Sequence, residues 1–367
     1  MKRKNGEIGS FFEFPYFDCV NPTESVLYNL IHSSGKNTYI FVQDGRQAIK
    51  AVLQQIRNVH EKKCYLPAYI CHSIIQPFKE MGLNIIFYNH EHPLIQNIDK
   101  SICDSIILII DYFGTEFFRT QEIKKLLKQG NIIIIDITHS ILDEKRRELC
   151  HEGLYYIASL RKTFPIPDGA VIYHPYSEIE LDLGRSVNYT RMLDAMILKR
   201  FYLDENLEIS NNLNLDLKRI FLLLYAEYEE CKDKTGIHIS KIPLISLMIL
   251  SKLRFNKILE RRNQNIKTIY DKIYNHERFL FDIEAIRSPF MLPLIFEDNE
   301  RRENVRNLML KHRIYPAIHW KIQGLIPEKF VYEHQLSSKE LSIPIDQRYS
   351  IEDMNRIINL LSKENLR

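Results

Sequence analysis

The chain has 367 residues, of which 45% are hydrophobic and 26% are charged, a balance typical of a globular protein and not of a disordered one. A chain of this length predicts two domains rather than one ordinary core. Its 50 basic and 47 acidic residues leave a net charge of +3, so charge gives no argument for a nucleic-acid or anionic-membrane partner.

The N-terminal sequence MKRKNG is basic, but the apolar segment of a signal peptide does not follow it. No uninterrupted apolar run approaches the ~18 residues that a membrane span requires. We therefore expect a cytoplasmic protein without a membrane partner. The six cysteines contain no CxxC pair, which argues against a zinc site and against a disulfide framework. The sequence predicts reduced thiols and no bound metal.

The first 175 residues alternate between strand-like and helix-like patterns. Most of the strand-like runs are continuously apolar, as expected for parallel strands that are covered on both faces. These runs are Thr38–Val42, Lys63–Pro67, Asn84–Tyr88, Ser105–Asp111, Asn131–Asp136, Tyr155–Ser159 and Gly169–Tyr173. Segments with a helical pattern lie between these strand-like runs, for example Ile49–Ile56 and Gln121–Gln129. This order predicts an α/β, three-layer fold with a mostly parallel seven-stranded sheet.

The remainder of the chain predicts a helical region and then a smaller α+β unit. Asp182–Leu253 is mainly helical in pattern. The later elements are a helix through Ile266–Ile273, a strand at Phe290–Phe296, a helix at Arg301–Lys311, a short strand near Ile314–Trp320 and a helix at Ile351–Ser362. We predict an N-terminal arm and large domain over residues 1–255 and a small C-terminal domain over residues 256–367.

Ligands of an open parallel sheet bind beyond the carboxyl ends of its strands, and three polar clusters fall at such ends. The first is Asp44-Gly45, where Asp44 can cap a helix whose free N–H groups suit a phosphate; a plain strand–helix turn is the alternative. The second is Asp136, which closes a run of isoleucines and needs a cationic partner if buried. His139 follows it, although a lone histidine is more commonly a packed one.

The third cluster is Ser159-Leu160-Arg161-Lys162. It follows a strand-like run and precedes the stiff turn Pro165–Gly169. A lysine amine partly removed from water can act as a nucleophile and form a Schiff base, and the Ser159 hydroxyl can bind a phosphate. Ordinary loop cations are the alternative interpretation. An anion cradle, a buried carboxylate and such a lysine together match the needs of pyridoxal 5′-phosphate (PLP).

Seven stretches in a fixed order carry a family resemblance over nearly the whole chain. They are DGRQAIKAVL, YLPAYICHSIIQPFKEMGLNIIFY, IILIIDYFG, IIIIDITHS, IASLRKTFPIPDGAVI, IYPAIHW and LSIPIDQRY. With them the chain resembles the fold-type I PLP-dependent aminotransferases, and among these the DegT/DnrJ/StrS family of sugar aminotransferases.

The resemblance implies roles for individual residues. Lys162 would carry the cofactor as an internal aldimine and move protons, Asp136 would pair with the pyridine nitrogen, and His139 would lie near the phenolic oxygen. The implied phosphate ligands are Gly45, Arg46, Gln47 and Ser159, and the implied stacking residue is Tyr69 or Cys71. The chain departs from the family in several motifs: the family has Gly-Thr in place of Gly45-Arg46, a longer Ser-to-Lys spacing, and paired glycines in place of Gly169-Ala170.

The function implied is transfer of an amino group from glutamate or glutamine to a keto-sugar or related carbonyl compound, which could be nucleotide-linked. Such aminotransferases are homodimers whose active site the partner completes. Lys162 argues against the dehydratase branch of the family, which has histidine there. Trp320, with His319 and Tyr315, would lie where the small domain closes over the substrate, or else form part of a packed core.

An alternative is a PLP-fold protein that has lost turnover and serves as a binding or regulatory protein. The altered phosphate loop motivates it, and the presence of Asp136 and Lys162 argues against it. A nucleotide-binding Rossmann protein is excluded because no G-x-G-x-x-G motif follows any strand-like run.

Overall fold

The computed structural model describes residues 6–17, 19–32, 38–115, 120–176, 179–204, 211–273 and 279–364. Its strands are β1 (Ile8–Gly9), β2 (Thr38–Val42), β3 (Lys63–Pro67), β4 (Asn84–Tyr88), β5 (His90–Glu91), β6 (Ile95–Gln96), β7 (Ile106–Ile110), β8 (Ile132–Asp136), β9 (Leu154–Ser159), β10 (Ala170–His174), β11 (Leu292–Ile295), β12 (Ile314–Tyr315) and β13 (Glu340–Ile343). Its helices are α1 (Val26–His32), α2 (Gly45–Gln55), α3 (His72–Glu80), α4 (Thr120–Lys128), α5 (Tyr189–Leu203), α6 (Asn211–Lys234), α7 (Leu244–Leu250), α8 (Phe255–Tyr270), α9 (Asn299–Lys311), α10 (Val331–Lys339) and α11 (Ile351–Glu364).

The large sheet has seven strands in the order β2-β10-β9-β8-β7-β3-β4. Strand β10 is antiparallel to both of its neighbours, and the other pairings are parallel. Every residue of the interior strand β7 is buried, which explains its run of isoleucine and leucine. Helices α2, α3 and α4 connect β2 to β3, β3 to β4 and β7 to β8. The predicted α/β fold with a mostly parallel seven-stranded sheet is confirmed.

The register of the sheet brings three strand ends together. Asp136 at the end of β8 pairs with Ile157 of β9. Ala170 of β10 pairs with Ser159 of β9 on one side and with Val42 of β2 on the other. The segments that follow β2, β8 and β9 therefore leave the sheet at one edge, where ligands of such sheets bind.

The C-terminal part contains the antiparallel pair β11–β13, against whose strand β13 helix α9 packs, and α10 packs against α9. Strand β1 of the N-terminal arm pairs in parallel with β12, with Ile8 opposite Ile314. The predicted strand near Ile314–Trp320 is limited to β12, and β13 is an element that the sequence did not predict. The domain division at residues 255 and 256, at the start of α8, stays a prediction.

None of the helices within the described ranges is both long and apolar enough to cross a bilayer. The six cysteines are present as free thiols.

Candidate active site

A cavity lies at the carboxyl end of the sheet, between the start of α2 and the loop that follows β9. Its volume is about 540 Å³, including the solvent at its mouth. Its lining contains members of all three polar clusters, namely Asp44, Gly45, Arg46, Asp136, Ser159, Arg161 and Lys162. The structure thus gathers residues that lie as much as 118 positions apart in the sequence (from 44 to 162).

Asp136 supplies a buried carboxylate at the base of this cavity. Its Oδ1 accepts a hydrogen bond of 2.9 Å from the backbone N–H of Thr138. Burial raises the pKa of Asp136, while the positive charge of Lys162 and the hydrogen bonds from Thr138 oppose that rise. A carboxylate removed from water in this way favours a cationic hydrogen-bond donor beside it.

Lys162 is the last residue of a short 3-10 turn, Leu160–Lys162, that leaves β9. The turn is fixed at both ends, because Leu160 N–H donates to the Gly169 carbonyl at 2.9 Å and Arg262 donates to the Thr163 carbonyl at 3.1 Å. Lys162 is half-buried and also lines a second, open cavity of about 1260 Å³, including the solvent at its mouth. The lysine therefore stands between the two cavities.

The start of α2 forms the opposite wall. Asp44 caps the helix, and its Oδ1 accepts a 3.0 Å hydrogen bond from Gln47 N–H. A Cβ atom on Gly45 would lie 3.3 Å from Ser159 Cβ, so the absence of a side chain lets the helix start lie against the end of β9. Arg46 lines the cavity, but its guanidinium donates to the Lys232 carbonyl at 2.7 Å and pairs with Asp233 at 2.5 Å.

Gln47 holds the surrounding loop instead of lining either cavity. Its Oε1 accepts a hydrogen bond of 2.8 Å from the backbone N–H of Ser240. Of the four predicted phosphate ligands, the cavity lining therefore includes Gly45, Arg46 and Ser159.

His139 lies close to the predicted site but is packed between aromatic rings. Its imidazole stacks on Phe290 with ring centroids 3.9 Å apart and lies 5.8 Å from the ring of Trp320. Its Nδ1 accepts a hydrogen bond of 3.1 Å from Phe113 N–H. Burial, with smaller effects from His319 and Lys162, lowers the pKa of His139 well below its usual value, so the ring is neutral.

The two predicted stacking residues lie outside the lining of both cavities. Tyr69 is fully buried, and its ring packs 5.4 Å from that of Trp320 and 5.9 Å from that of Tyr112. Cys71 precedes α3, and its Sγ lies 3.1 Å from the Oγ of Ser73, which does line the first cavity. Of these three residues, only Ser73 lines the first cavity, and the stacking role of Tyr69 or Cys71 stays a prediction.

The second cavity opens toward the C-terminal part and the N-terminal arm. Tyr315, His319 and Trp320 all line it, as do Gly9–Phe12 of the arm. Burial, followed by the charge of Lys162, lowers the pKa of His319 to about 3. The three residues predicted to close over a substrate therefore lie at the cavity that Lys162 reaches.

Sequence reasoning did not select Asp168, Glu229 or Lys232, although Glu229 and Lys232 line the first cavity. Lys232 Nζ lies 2.9 Å from Asp44 and 3.3 Å from Asp168. Lys232 belongs to a charged helical run, and Asp168 belongs to a Pro-Asp-Gly turn. Such residues are common in surface helices and turns, so the local sequence did not indicate a functional site at either position. The only signal for Asp168 was the stiffness of its turn.

The lining fits PLP on the chemistry of its donors. An amine (Lys162) and a buried carboxylate (Asp136) face the same space, as the aldehyde and the ring nitrogen of PLP require. The N-terminus of an α-helix and a serine hydroxyl adjoin them, and both bind phosphates. The close approach of Gly45 to Ser159 brings these two phosphate-binding elements together.

No protein-family model matches the chain, and no curated protein matches its sequence. Solved structures do match its fold. Among the most similar are DesV from S. venezuelae in complex with a ketimine intermediate (TM-score 0.63, 12% identity, 96% of this chain and 91% of DesV) and a DegT/DnrJ/EryC1/StrS aminotransferase from Brucella abortus (TM-score 0.59, 13% identity, 95% and 91%). A third is Spr1654 from Streptococcus pneumoniae in its PLP form (TM-score 0.62, 12% identity, 96% and 93%). The predicted fold, that of the DegT/DnrJ/StrS-type aminotransferases, is confirmed.

Proposed function

We propose that this protein is a PLP-dependent aminotransferase that moves an amino group from glutamate or glutamine to a keto-sugar or a related carbonyl compound. The observation that carries the proposal is the single cavity lined by Lys162, Asp136 and the start of α2. The likeness in fold to sugar aminotransferases supports the same reaction class.

Each of these groups has a task in such a reaction. PLP supplies an electron sink that makes the proton on the substrate's nitrogen-bearing carbon acidic. The Lys162 amine would hold the cofactor aldehyde and would take up and return that proton. The Asp136 carboxylate would face the pyridine nitrogen and would stabilise positive charge there. The neutral ring of His139 packs nearby and holds Phe290 in place.

The second cavity is the proposed substrate site, because it adjoins Lys162 and holds both aromatic and polar groups. Phe290 and Trp320 offer apolar faces, and Arg161 and Glu229 offer charged groups at its border with the first cavity. A few polar groups set among aromatic walls suit a small carbonyl compound with hydroxyl substituents.

We also infer that the protein is a cytoplasmic homodimer. Large apolar side chains stand exposed on two helices, with Leu223 of α6 58% and Leu244 of α7 80% accessible. Surfaces of this kind are typical of protein interfaces. Light scattering on the purified protein would measure the mass of the particle, for which we expect two chains.

The reaction is tested by adding L-glutamate or L-glutamine to protein loaded with PLP. We expect the 2-oxo acid of the active donor to appear in an amount equal to the cofactor, together with pyridoxamine phosphate. The Lys162→Ala variant should release less than about a hundredth as much in the same time, because it lacks the proton-transfer group. Absence of the 2-oxo acid from both donors would contradict the proposal for this pair of donors.

The alternative, a PLP-fold binding or regulatory protein without turnover, has one observation in its favour. Arg46 and Gln47 direct their side chains to Asp233 and Ser240, so neither side chain is committed to a phosphate. This alternative predicts that the protein binds PLP but never releases a 2-oxo acid, whichever amino acid is added.

A further inference from the structure

Two cations border the first cavity: Lys232, which has no task in the reaction described above, and Arg161, which also borders the proposed substrate site. Lys232 comes from α6, and Arg161 immediately precedes Lys162. Their side chains are 12% and 19% exposed, so both are largely withdrawn from bulk water yet reach the cavity. We call Arg161 and Lys232 the cation pair.

The buried carboxylate of Asp168 contacts both members of the cation pair. Asp168 is fully buried and lies 3.3 Å from Lys232 Nζ and 3.9 Å from Arg161 Nε. Its Oδ2 accepts a hydrogen bond of 3.2 Å from Gln43, and its backbone carbonyl accepts one of 2.5 Å from Ser246. Burial raises the pKa of Asp168, and Lys232 opposes that rise. Because Asp168 is anchored by its own partners, it fixes the position of both cations.

Toward the cavity, the cation pair meets two further carboxylates, those of Asp44 and Glu229. Lys232 Nζ lies 2.9 Å from Asp44 at the start of α2, and Arg161 lies 2.8 Å from Glu229, whose side chain is 30% exposed. Burial alone would raise the pKa of Asp44, but Lys232 and the Gln47 N–H reverse this and lower it. The pair thus contacts Asp168 in the interior and Asp44 and Glu229 at the cavity wall, and Lys232 Nζ also donates a hydrogen bond of 3.0 Å to the hydroxyl of Tyr228.

We propose that Lys232 and Arg161, held by Asp168, bind the 5′-phosphate of the cofactor at the start of α2. This inference rests on the proposed function. The helix start alone offers N–H groups that suit an anion, but Asp44 at its cap repels a dianion. Two cations within reach of the same wall offset that repulsion. The cation pair donates charge-assisted hydrogen bonds to the phosphate. The side chains of Arg46 and Gln47 do not supply such bonds, because they are bonded to Asp233 and Ser240.

The test compares two aldehydes that differ only in the phosphate. PLP and 5′-deoxypyridoxal are titrated against the full-length protein, and binding is followed by the absorbance that the aldehyde gains on bonding to a lysine. The variants are Lys232→Ala, Arg161→Gln and the charge-conserving Lys232→Arg. The matched control is Lys234→Ala, since Lys234 lies two residues along the same helix with a 73% exposed side chain.

We expect Lys232→Ala and Arg161→Gln each to lower the preference for PLP over 5′-deoxypyridoxal by roughly tenfold to a hundredfold, the worth of one charged hydrogen bond. Lys234→Ala should leave the preference unchanged, and Lys232→Arg should restore most of it. Binding of 5′-deoxypyridoxal by each variant shows that the site is folded. A preference equal to that of the wild type in both charge-removing variants would overturn the inference.

Failure of the proposed function gives a different result, in which the wild type bonds neither aldehyde at Lys162. Phosphate binding by the cation pair is then tested with inorganic phosphate alone, by thermal unfolding. A rise in the melting temperature of the wild type and of Lys234→Ala, but not of Lys232→Ala, would support phosphate binding by the pair. No rise in the wild type would overturn it.

Discussion

The side-chain amide of Gln347 donates a hydrogen bond of 3.1 Å to the backbone carbonyl of Thr163, the residue that follows Lys162. Arg262 donates to the same carbonyl and also to Gln347 Oε1 at 2.8 Å. Gln347 lies close to the C-terminus and Arg262 lies on α8, so the loop that carries Lys162 is held by residues from the far end of the chain. Lys162 is thereby positioned by side chains outside the sheet.

Arg262→Met should lower the free energy of unfolding by about 2–4 kcal/mol, because the buried Thr163 carbonyl loses one of its two donors and the Pro289 carbonyl loses the Arg262 donor. Urea unfolding followed by circular dichroism would measure the change. Arg261→Met, at the neighbouring half-buried arginine, is the control and should cost less than 1 kcal/mol or so. Equal losses in the two variants would contradict the role assigned to Arg262.

Glu340→Gln should change the pH dependence of stability. Burial raises the pKa of Glu340 to about 8, so between the ordinary glutamate value and pH 8 the folded state holds a proton that the unfolded state has lost. Stability from this group is therefore present at low pH and lost as the pH rises, at up to about 1.4 kcal/mol per pH unit.

Between pH 5 and pH 7 the free energy of unfolding of Glu340→Gln should accordingly gain up to about 2.7 kcal/mol relative to that of the wild type. Urea unfolding at the two pH values gives this difference. The same substitution at exposed Glu297 should leave the difference near zero. A Glu340→Gln difference that does not vary with pH would show that Glu340 is ionised in the folded protein.

Asp136→Asn should separate cofactor attachment from turnover. The amide cannot stabilise the charge on the pyridine ring, so we expect the rate of 2-oxo acid release from the active amino donor to fall by about a hundredfold or more. Covalent attachment of PLP at Lys162 should persist, since Asp136 does not form that bond. Single-turnover kinetics would measure the rate, and a rate within threefold of the wild type would remove Asp136 from the proposed mechanism.

The large sheet was predictable because most of its strands are continuous apolar runs. Strands β2, β3 and β4 have the predicted bounds, and β8 ends at the predicted Asp136. Strand β13 was missed because it opens with a glutamate and is only four residues long. Its glutamate is buried by tertiary packing, which no local pattern reports.

The candidate site was predictable where its residues end a strand or come soon after one, as Asp136 and Lys162 do. The contact of Lys232 with Asp168 joins residues that are 64 positions apart and depends on how α6 packs, so no spacing in the sequence indicates it. Tyr69 was selected for its aromatic ring. The packing of that ring against Trp320 is again a tertiary effect.

The most direct test of the central claim is to treat the purified protein with PLP, reduce it with borohydride and map the modified peptide by mass spectrometry. The proposed function predicts a yellow protein before reduction and one pyridoxyl group fixed on Lys162 afterwards, with none in Lys162→Ala. A modification spread over surface lysines, or none at all, would contradict the assignment of this cavity as a PLP site.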